Sequence, residues 1–475
     1  MSSQTLSPSL TSLIQRYNLD ISVVDLKQVE WRLDAEFFKP EYLAWNSSIL
    51  NNKFAFLSDL TEKIDVWFVG SMVSEYVEEG ILLLQTQNVD EFFLKLENYK
   101  TINLAFHKKL KKSQVEKWNI LIARSGSFGK ASIYMKDDII NSSDIIIVQA
   151  DESKINSFYL TAFINSKFWQ NQLYRFASGG LQWHVNLTIL ESLKISLPSP
   201  DFQSSIASIV QEAHMQMELS KALYAEAEQI LLRELGLIDW TPAEIGITEK
   251  MSEEVKLFGR CDAEFFQPKY DELIKKIKSY KWWYDTLENL ISVISKQVKP
   301  DAAKEYQYCE LADIDPSLGT VWEYTKILWK DLPSRARMQI EKWDVVVSSI
   351  SGSSSKIALI QSKDTNLIAS TGFFILKPKA FSAETNLVLM KSIFMQEFLV
   401  RSARGMILSA TNQDDFKHLI IPNISADIQS LISSRIIDSH LAREKSKTLL
   451  TQAKRAVEIF IEEDEEKAKN YLNAL

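Results

Sequence analysis

The sequence predicts a mixed, strand-rich α/β fold built twice. Two similar domains are separated by two long antiparallel coiled-coil helices, in a pseudo-two-fold tandem repeat. Three observations carry this prediction. Residues 32–42 read RLDAEFFKPEY and residues 260–270 read RCDAEFFQPKY, identical at eight of eleven positions. Short apolar runs bounded by Gly, Ser, Asn and Asp follow each copy, the pattern of buried strands. A 4–3 spacing of apolar and small residues then closes each half.

The copies continue in register after that opening. Glu116-Lys117-Trp118 recurs as Glu341-Lys342-Trp343, each before an apolar run. Ser125-Gly126-Ser127 recurs as Ser351-Gly352-Ser353, with Lys130 matching Lys356. Pro198 and Pro422 end apolar runs, and QSSIAS from Gln203 recurs as QSLISS from Gln429. A period near 226 residues is far longer than a solenoid unit of about 20–50 residues, so the repeat is a duplicated domain-plus-helix module. Between the anchors the sequences diverge, which suits two devices of one plan that recognise different things.

Within each middle, runs such as ILLLQ, NILIA, DIIIVQA and DVVVSS predict strands, and FYLTAFINSKFWQNQLYRFA predicts one helix stopped by Gly179-Gly180. The first long helix follows Pro200 with Asp201 as its cap, and Gly236 stops it. Its seam is Ile206, Val210, Ala213, Met217, Ser220, Tyr224, Ala227 and Leu231. The second seam is Ile432, Ile436, Ser439, Arg443, Ser446, Leu450, Ala453 and Val457. Small seam residues predict close approach of the two helices. Arg443 is the misfit, with three destinations open to it: water, a carboxylate of the first helix, or a partner. The expected divisions are 1–200 (N-terminal flank and first domain), 201–238 (central helix), 239–422 (linker and second domain) and 423–470 (distal helix).

The chain has 475 residues, enough for two to four domains at about 100–200 residues each. Its net charge of −8 is unevenly placed. Residues 61–197 carry 15 basic and 15 acidic side chains and residues 285–421 carry 16 and 16, whereas residues 201–240 carry 2 and 7. A polyanion would therefore meet local basic patches on neutral domains. No apolar run of about 18 residues predicts a membrane span, and the N-terminus has no secretory pattern. Cys261 and Cys309 are too few for a disulfide framework and are expected as free buried thiols of a reducing, cytoplasmic compartment.

The paired RLDAEFF…P..Y starts, the EKW anchors and the repeated QxxI helix openings resemble the specificity subunits of type I restriction-modification systems, from about Asp25 to Glu466. The resemblance implies two target-recognition domains that read a bipartite, asymmetric double-stranded DNA target, held apart by paired helices. It also implies a non-catalytic subunit without cofactor, which recruits two DNA adenine methyltransferase subunits and, in the full assembly, restriction motor subunits. A helix of about 30–36 residues is roughly 45–54 Å long, and two-fold readers usually span half-sites about 34–36 Å apart. The family suggests no role for the segment before Ile21 or for the acidic run Glu462–Glu466, read here as a solvated end.

Candidate DNA contacts divide into phosphate positioning and base readout. For phosphate, Lys108, Lys109, Lys111 and Lys112 form the densest basic cluster of the first domain, and Arg335 and Arg337 are its counterpart. The loops with Arg124, Ser127 and Lys130, and with Ser353 and Lys356, combine Gly and Ser with a cation after a strand. For bases, Gln182, His184 and Asn186 follow Gly179-Gly180, and Arg401, Arg404, Asn412 and Gln413 surround Gly405. Arg suits guanine, and Asn or Gln suits adenine, in the major groove. Gln85, Gln87 and Asn88 are lesser candidates. Phe37-Phe38 and Phe265-Phe266 are expected in the core, with Asp34, Glu36, Asp262 and Glu264 in structural ion pairs with Arg32 and Arg260.

Two other functions compete with this one. An enzyme would need chemistry the motifs lack: 13 Gly form no cofactor loop, and His107, His184, His214, His418 and His440 have no metal-ligand spacing. A nuclease with dispersed carboxylates would leave little trace in sequence. A helical scaffold that does not touch DNA would use the same seams without the basic patches.

Overall fold

Strands whose residues are apolar on both faces must be covered on both sides. Ile120–Ala123 and Val345–Ser348 are of this kind, and every residue in them is buried. The computed structural model describes residues 35–67, 72–96, 98–124, 129–177, 187–241, 260–294, 297–298, 301, 304–404 and 409–474. These form two units, Met1–Met215 with Lys445–Leu475, and Gln216–Glu444.

Among the described residues of the first unit, ten strands make three sheets. β1 (Phe54–Phe56), β2 (Thr61–Val66), β3 (Tyr76–Gln85), β4 (Lys100–Ile102) and β5 (Gln114–Val115) are followed by β6 (Ile120–Ala123), β7 (Ala131–Ile133), β8 (Ile140–Ser143), β9 (Ile145–Ala150) and β10 (Lys194–Ser196). One four-stranded sheet has the order β2-β9-β6-β7, the other β4-β3-β8-β5, and β1 pairs antiparallel with β10. Alternate residues of a strand face opposite sides. Ile120 and Ile122 accordingly enter one core, with Tyr159, Trp169 and Ile206, while Leu121 and Ala123 enter another, with Leu84 and Ile147.

The second unit repeats this plan. Its strands are β11 (Tyr284–Thr286), β12 (Ser292–Ile294), β13 (Glu305–Cys309), β14 (Ile314–Asp315), β15 (Thr320–Val321) and β16 (Thr325–Leu328). Then follow β17 (Ala336–Gln339), β18 (Val345–Ser348), β19 (Ile357–Leu359), β20 (Leu367–Ser370), β21 (Phe373–Lys377) and β22 (Ile420–Pro422). The orders β12-β21-β18-β19 and β16-β13-β20-β17, with β11 on β22, match the first unit strand for strand; β14-β15 is an addition. Among the described strands each unit has one parallel pair, β3 with β8 and β13 with β20.

The recurring Glu-Lys-Trp anchors are tight turns that launch the central strands. Trp118 and Trp343 have left-handed backbones, φ 71° and 75°. In the first turn the Glu116 N–H donates to Asn119 Oδ1 and the Asn119 N–H donates to Glu116 O. Asp344 and Glu341 make the same two bonds in the second. Lys117 and Lys342 lie over the two indoles at 5.0 and 4.5 Å.

The helix expected over FYLTAFINSKFWQNQLYRFA is two helices, Ser157–Ile164 and Lys167–Ala177. The break at Asn165 has a local cause: its side-chain amide donates to Ala131 O and accepts from Ala131 N–H, bonding to the edge of β7. Gly179-Gly180 lie outside the described residues.

The long helices are Pro200–Glu234 and Ala426–Glu462. The first is capped by Ser199, whose hydroxyl accepts from the Phe202 N–H, rather than by Asp201, which lies inside the first turn. Gly236 does end it, with φ 64°. Their N- and C-terminal portions pack antiparallel within each unit. In the first, the Ser446 hydroxyl donates to Ala213 O at 2.7 Å, and the Phe202 and Phe460 rings meet at 5.8 Å. In the second, the Ser439 hydroxyl donates to Ser220 O at 2.7 Å, and Arg435 pairs with Glu226 at 2.9 Å.

Three further expectations are corrected by position. The acidic run is anchored: Glu465 accepts from the Ser199 N–H and hydroxyl, Glu462 pairs with Lys167 and Arg455, and Asp464 caps the helix Glu465–Asn473. Cys309 is buried but Cys261 is exposed. Arg443 reaches Asp315 on β14, neither water nor the first helix. Phe37 is buried as expected, whereas Phe38, Phe265 and Phe266 are half-buried. Arg260 chelates Asp262 through Nε and Nη2, both at 2.8 Å. Arg32 and Asp34, and the Glu36 side chain, lie outside the described residues.

Candidate nucleic-acid interface

At one corner of the first unit the ends of β2, β3, β6 and β8 are joined through Asp144. Its backbone is left-handed, φ 57°. Its N–H donates to Trp67 O at 3.2 Å, its carbonyl accepts from the Thr86 hydroxyl at 3.1 Å, and its Oδ1 accepts from Arg124 Nη1 at 3.0 Å. Gln85 and Gln87 are beside Thr86, with their side-chain amides 3.4 Å apart. Asn88 is buried and holds the turn, accepting from the Gln85 N–H and donating to Lys95 O.

The lysine cluster flanks this corner. Lys108 and Lys109 end the helix Leu104–Lys109, and Lys111 and Lys112 form the turn before β5. The segment is fixed from below by buried Asn141 of β8, whose amide donates to Leu110 O and the Ser113 hydroxyl and whose oxygen faces His107 Nδ1. All four lysines are exposed and, among the described residues, none has an ion-pair partner. The Lys112 ammonium lies 5.5 Å from the centre of the exposed Trp67 ring.

The second unit has a related corner. Arg335 is exposed, pairs with Glu310 at 3.5 Å, and its carbonyl accepts from the Thr371 N–H. Arg337 stacks on Trp329 at 4.7 Å. Each unit therefore holds a cation over an indole, beside β5 in the first and on β17 in the second, with different polar residues around it. Cation–π contacts of this kind hold a long side chain in place without neutralising it.

The other candidates have firm internal partners. Lys130 donates to Asp90 at 2.7 Å and Lys95 pairs with the same carboxylate at 2.6 Å. Burial would raise the Asp90 pKa, but the two ammoniums together hold it below the ordinary value. Lys356 donates to Ile314 O at 2.8 Å, and Ser353 bonds Ser348 and Ile350 O. Arg401 lies over the Phe265 and Tyr270 rings, and its Nε donates to Phe265 O at 3.1 Å. Arg175 does the same to Phe37 in the first unit, at 3.0 Å. The paired clamps give the recurring DAEFF segment its anchor. Arg404 is exposed and forks onto Asp415, and Asn412 caps the helix Gln413–Lys417 that carries Asp415. Ser127, Gln182, His184 and Asn186 lie outside the described residues.

Trp67, Asp144, Glu310 and Trp329 were not singled out by sequence reasoning. Two of them are tryptophans close to the basic clusters, and aromatic residues near cations were the available signal. Among the described residues no group of His, Cys, Asp or Glu could hold a metal ion, and no helix is long and apolar enough to cross a membrane.

Residues 50–229 match the family model described as the type I restriction modification DNA specificity domain. Among solved structures, the chain is similar to the S subunit of a type I restriction-modification system from M. genitalium: 12% identity, 87% of this chain and 96% of that one, TM-score 0.41. It is also similar to the HsdS subunit from Thermoanaerobacter tengcongensis: 14% identity, 87% and 97% coverage, TM-score 0.29. A third is a chain from a study of complex assembly and conformational transition of the type I R-M system: 12% identity, 87% and 98% coverage, TM-score 0.28. No curated protein sequence matches the chain. Residues 50–229 are thus similar to the type I restriction modification DNA specificity domain, and the second unit repeats the strand order of the first.

Proposed function

We propose that this chain is the DNA-reading specificity subunit of a type I restriction-modification complex. It reads a bipartite, asymmetric target, one half-site with residues 1–200 and the other with residues 239–422, while 201–238 and 423–470 supply the paired helices. It performs no catalysis itself, works in the cytoplasm, and positions two DNA adenine methyltransferase subunits, with restriction motor subunits in the full assembly. The observation that supports this reading best is the duplication of a domain with two four-stranded sheets, each copy holding a cation over an indole but differing in the polar residues around it.

In this reading Lys108, Lys109, Lys111, Lys112, Arg335 and Arg337 contact phosphates. Arg124, Arg404, Asn412 and Gln413, with Gln182, His184 and Asn186, are assigned to base contacts. Lys130, Ser353, Lys356 and Arg401 shape the loops near them, and Ser127 is assigned to a phosphate contact.

Sequencing methylated bases in cells with and without the chain tests the proposal. The expected result is one bipartite adenine-methylated motif that disappears with the chain. Exchanging residues 285–421 for the same segment of a relative should change one half of that motif. A change in both halves, or DNA cleavage by the purified chain alone, would overturn the reading.

A further inference from the structure

We infer that Arg124 is a guanine reader of the first half-site and that Asp144 is the positioning residue that aims it. The inference rests on the DNA-reading function proposed above. Arg124 leaves the end of β6 and is part-buried, and its Nη1 is fixed on Asp144 Oδ1 at 3.0 Å. Its Nε is buried without an acceptor among the described residues. Asp144 in turn is held from two sides, by its N–H on Trp67 O and its carbonyl on the Thr86 hydroxyl. It keeps a left-handed backbone, an uncommon choice for a residue with a side chain and a frequent one at functional positions.

Charge distinguishes base reading from phosphate contact. A guanidinium paired with a carboxylate has little net attraction for a polyanion, and Asp144 would repel a phosphate. The remaining Nη N–H groups of Arg124 are nevertheless fixed in direction, as bidentate recognition of guanine O6 and N7 requires. Lys108, Lys109 and Lys111 show the opposite arrangement: exposed and without ion pairs among the described residues, they supply attraction without direction. Ser349 and Thr371 follow β18 and β20 where Arg124 and Asp144 follow β6 and β8, so this device belongs to the first half-site alone.

The test uses the full-length chain, wild type and Arg124→Gln, to select binding sequences from a duplex pool randomised across the target. Wild type should select a bipartite motif with a guanine in one half. Arg124→Gln should lose that guanine by about tenfold to a hundredfold while the other half is retained. Asp144→Asn should weaken the same single preference. If Arg124→Gln does not fold, Arg124→Lys serves, since it keeps the charge and removes the fork; the guanine preference should again fall. An unchanged motif, or an equal loss of affinity for all sequences with a smaller salt slope, would overturn the inference alone. A wild-type chain that selects no sequence would overturn both it and the function on which it rests.

Discussion

Arg443 and Asp315 form an ion pair in the interior of the second unit, Nη2 to Oδ2 at 3.4 Å, with side chains only 2% and 1% exposed. Arg443 occupies a seam position of the distal helix, and the Trp322 ring lies 5.2 Å beneath its guanidinium. Burial lowers the Arg443 pKa and Asp315 works against that shift. The pair thus fastens a seam position of the helix to β14 of the same unit.

Removing one partner leaves a charge buried alone, which costs about 3–5 kcal/mol, whereas replacing both with apolar residues is often neutral or better. Asp315→Ala should therefore lower the unfolding free energy by that amount. Asp315→Leu combined with Arg443→Met should recover most of it. Urea unfolding of the wild type and these two variants measures this; equal losses in the single and double variants would show that the pair is not the fastening.

His440 lies one turn before Arg443, buried and bonded through Nδ1 to the Gln361 amide. Burial first, and then the Arg443 charge, lower its pKa to about 4. The unfolded chain keeps the ordinary value near 6.5, so between about pH 6.5 and 4 it binds more protons than the fold does. The His440 contribution is complete above 6.5, falls as pH falls through this window, and is lost below about 4, a change of up to ~3 kcal/mol. His440→Gln should flatten the stability profile between pH 4 and 6.5. A wild-type profile with no slope there that depends on His440 would contradict the assignment.

Sequence made local and periodic features legible. The buried strands followed from runs such as Ile145–Ala150, and the seams from apolar spacing, because burial on both faces or along one stripe leaves a direct pattern. Pairings across long separations left none. Asp315 is 128 residues from Arg443, and Phe265 is 136 from Arg401, so composition alone could not tell a fastening or a clamp from an exposed cation. The loop lysines were misleading for the same reason. Lys130 and Lys356 look alike after a Gly/Ser turn, but the Asp90 and Ile314 O partners that hold them come from other strands and turns.

Small hydroxyls at the seam allow backbone-close packing: Ser439 donates to Ser220 O, and Ser446 to Ala213 O. Truncation to Ala should cost about 1 kcal/mol at each site, the usual net worth of a hydrogen bond. Ser439→Leu should cost more, about 1–3 kcal/mol, because the added methylenes have no space. Thermal unfolding of Ser439→Ala, Ser446→Ala and Ser439→Leu checks the order. A neutral Ser439→Leu would mean that the helices are not tightly packed there.

The unpaired lysines of the first unit give the last prediction. Lys108, Lys109, Lys111 and Lys112 are exposed in the segment before β5, and Lys112 is steadied over Trp67. Phosphate contacts release counterions, so log affinity falls with log salt by about 0.9 per contact on duplex DNA. Replacing all four with Ala should reduce the slope by roughly 3–4 and weaken binding to every sequence alike, leaving the preferred motif intact. Because these side chains are exposed and lack ion-pair partners among the described residues, the melting temperature should stay within a few degrees of wild type. A variant that keeps the full salt slope would remove these lysines from the phosphate track. A variant that instead loses one base of the motif would assign the lysines to readout, a role that the flexible, strongly hydrated ammonium fits poorly beside the fixed fork of Arg124.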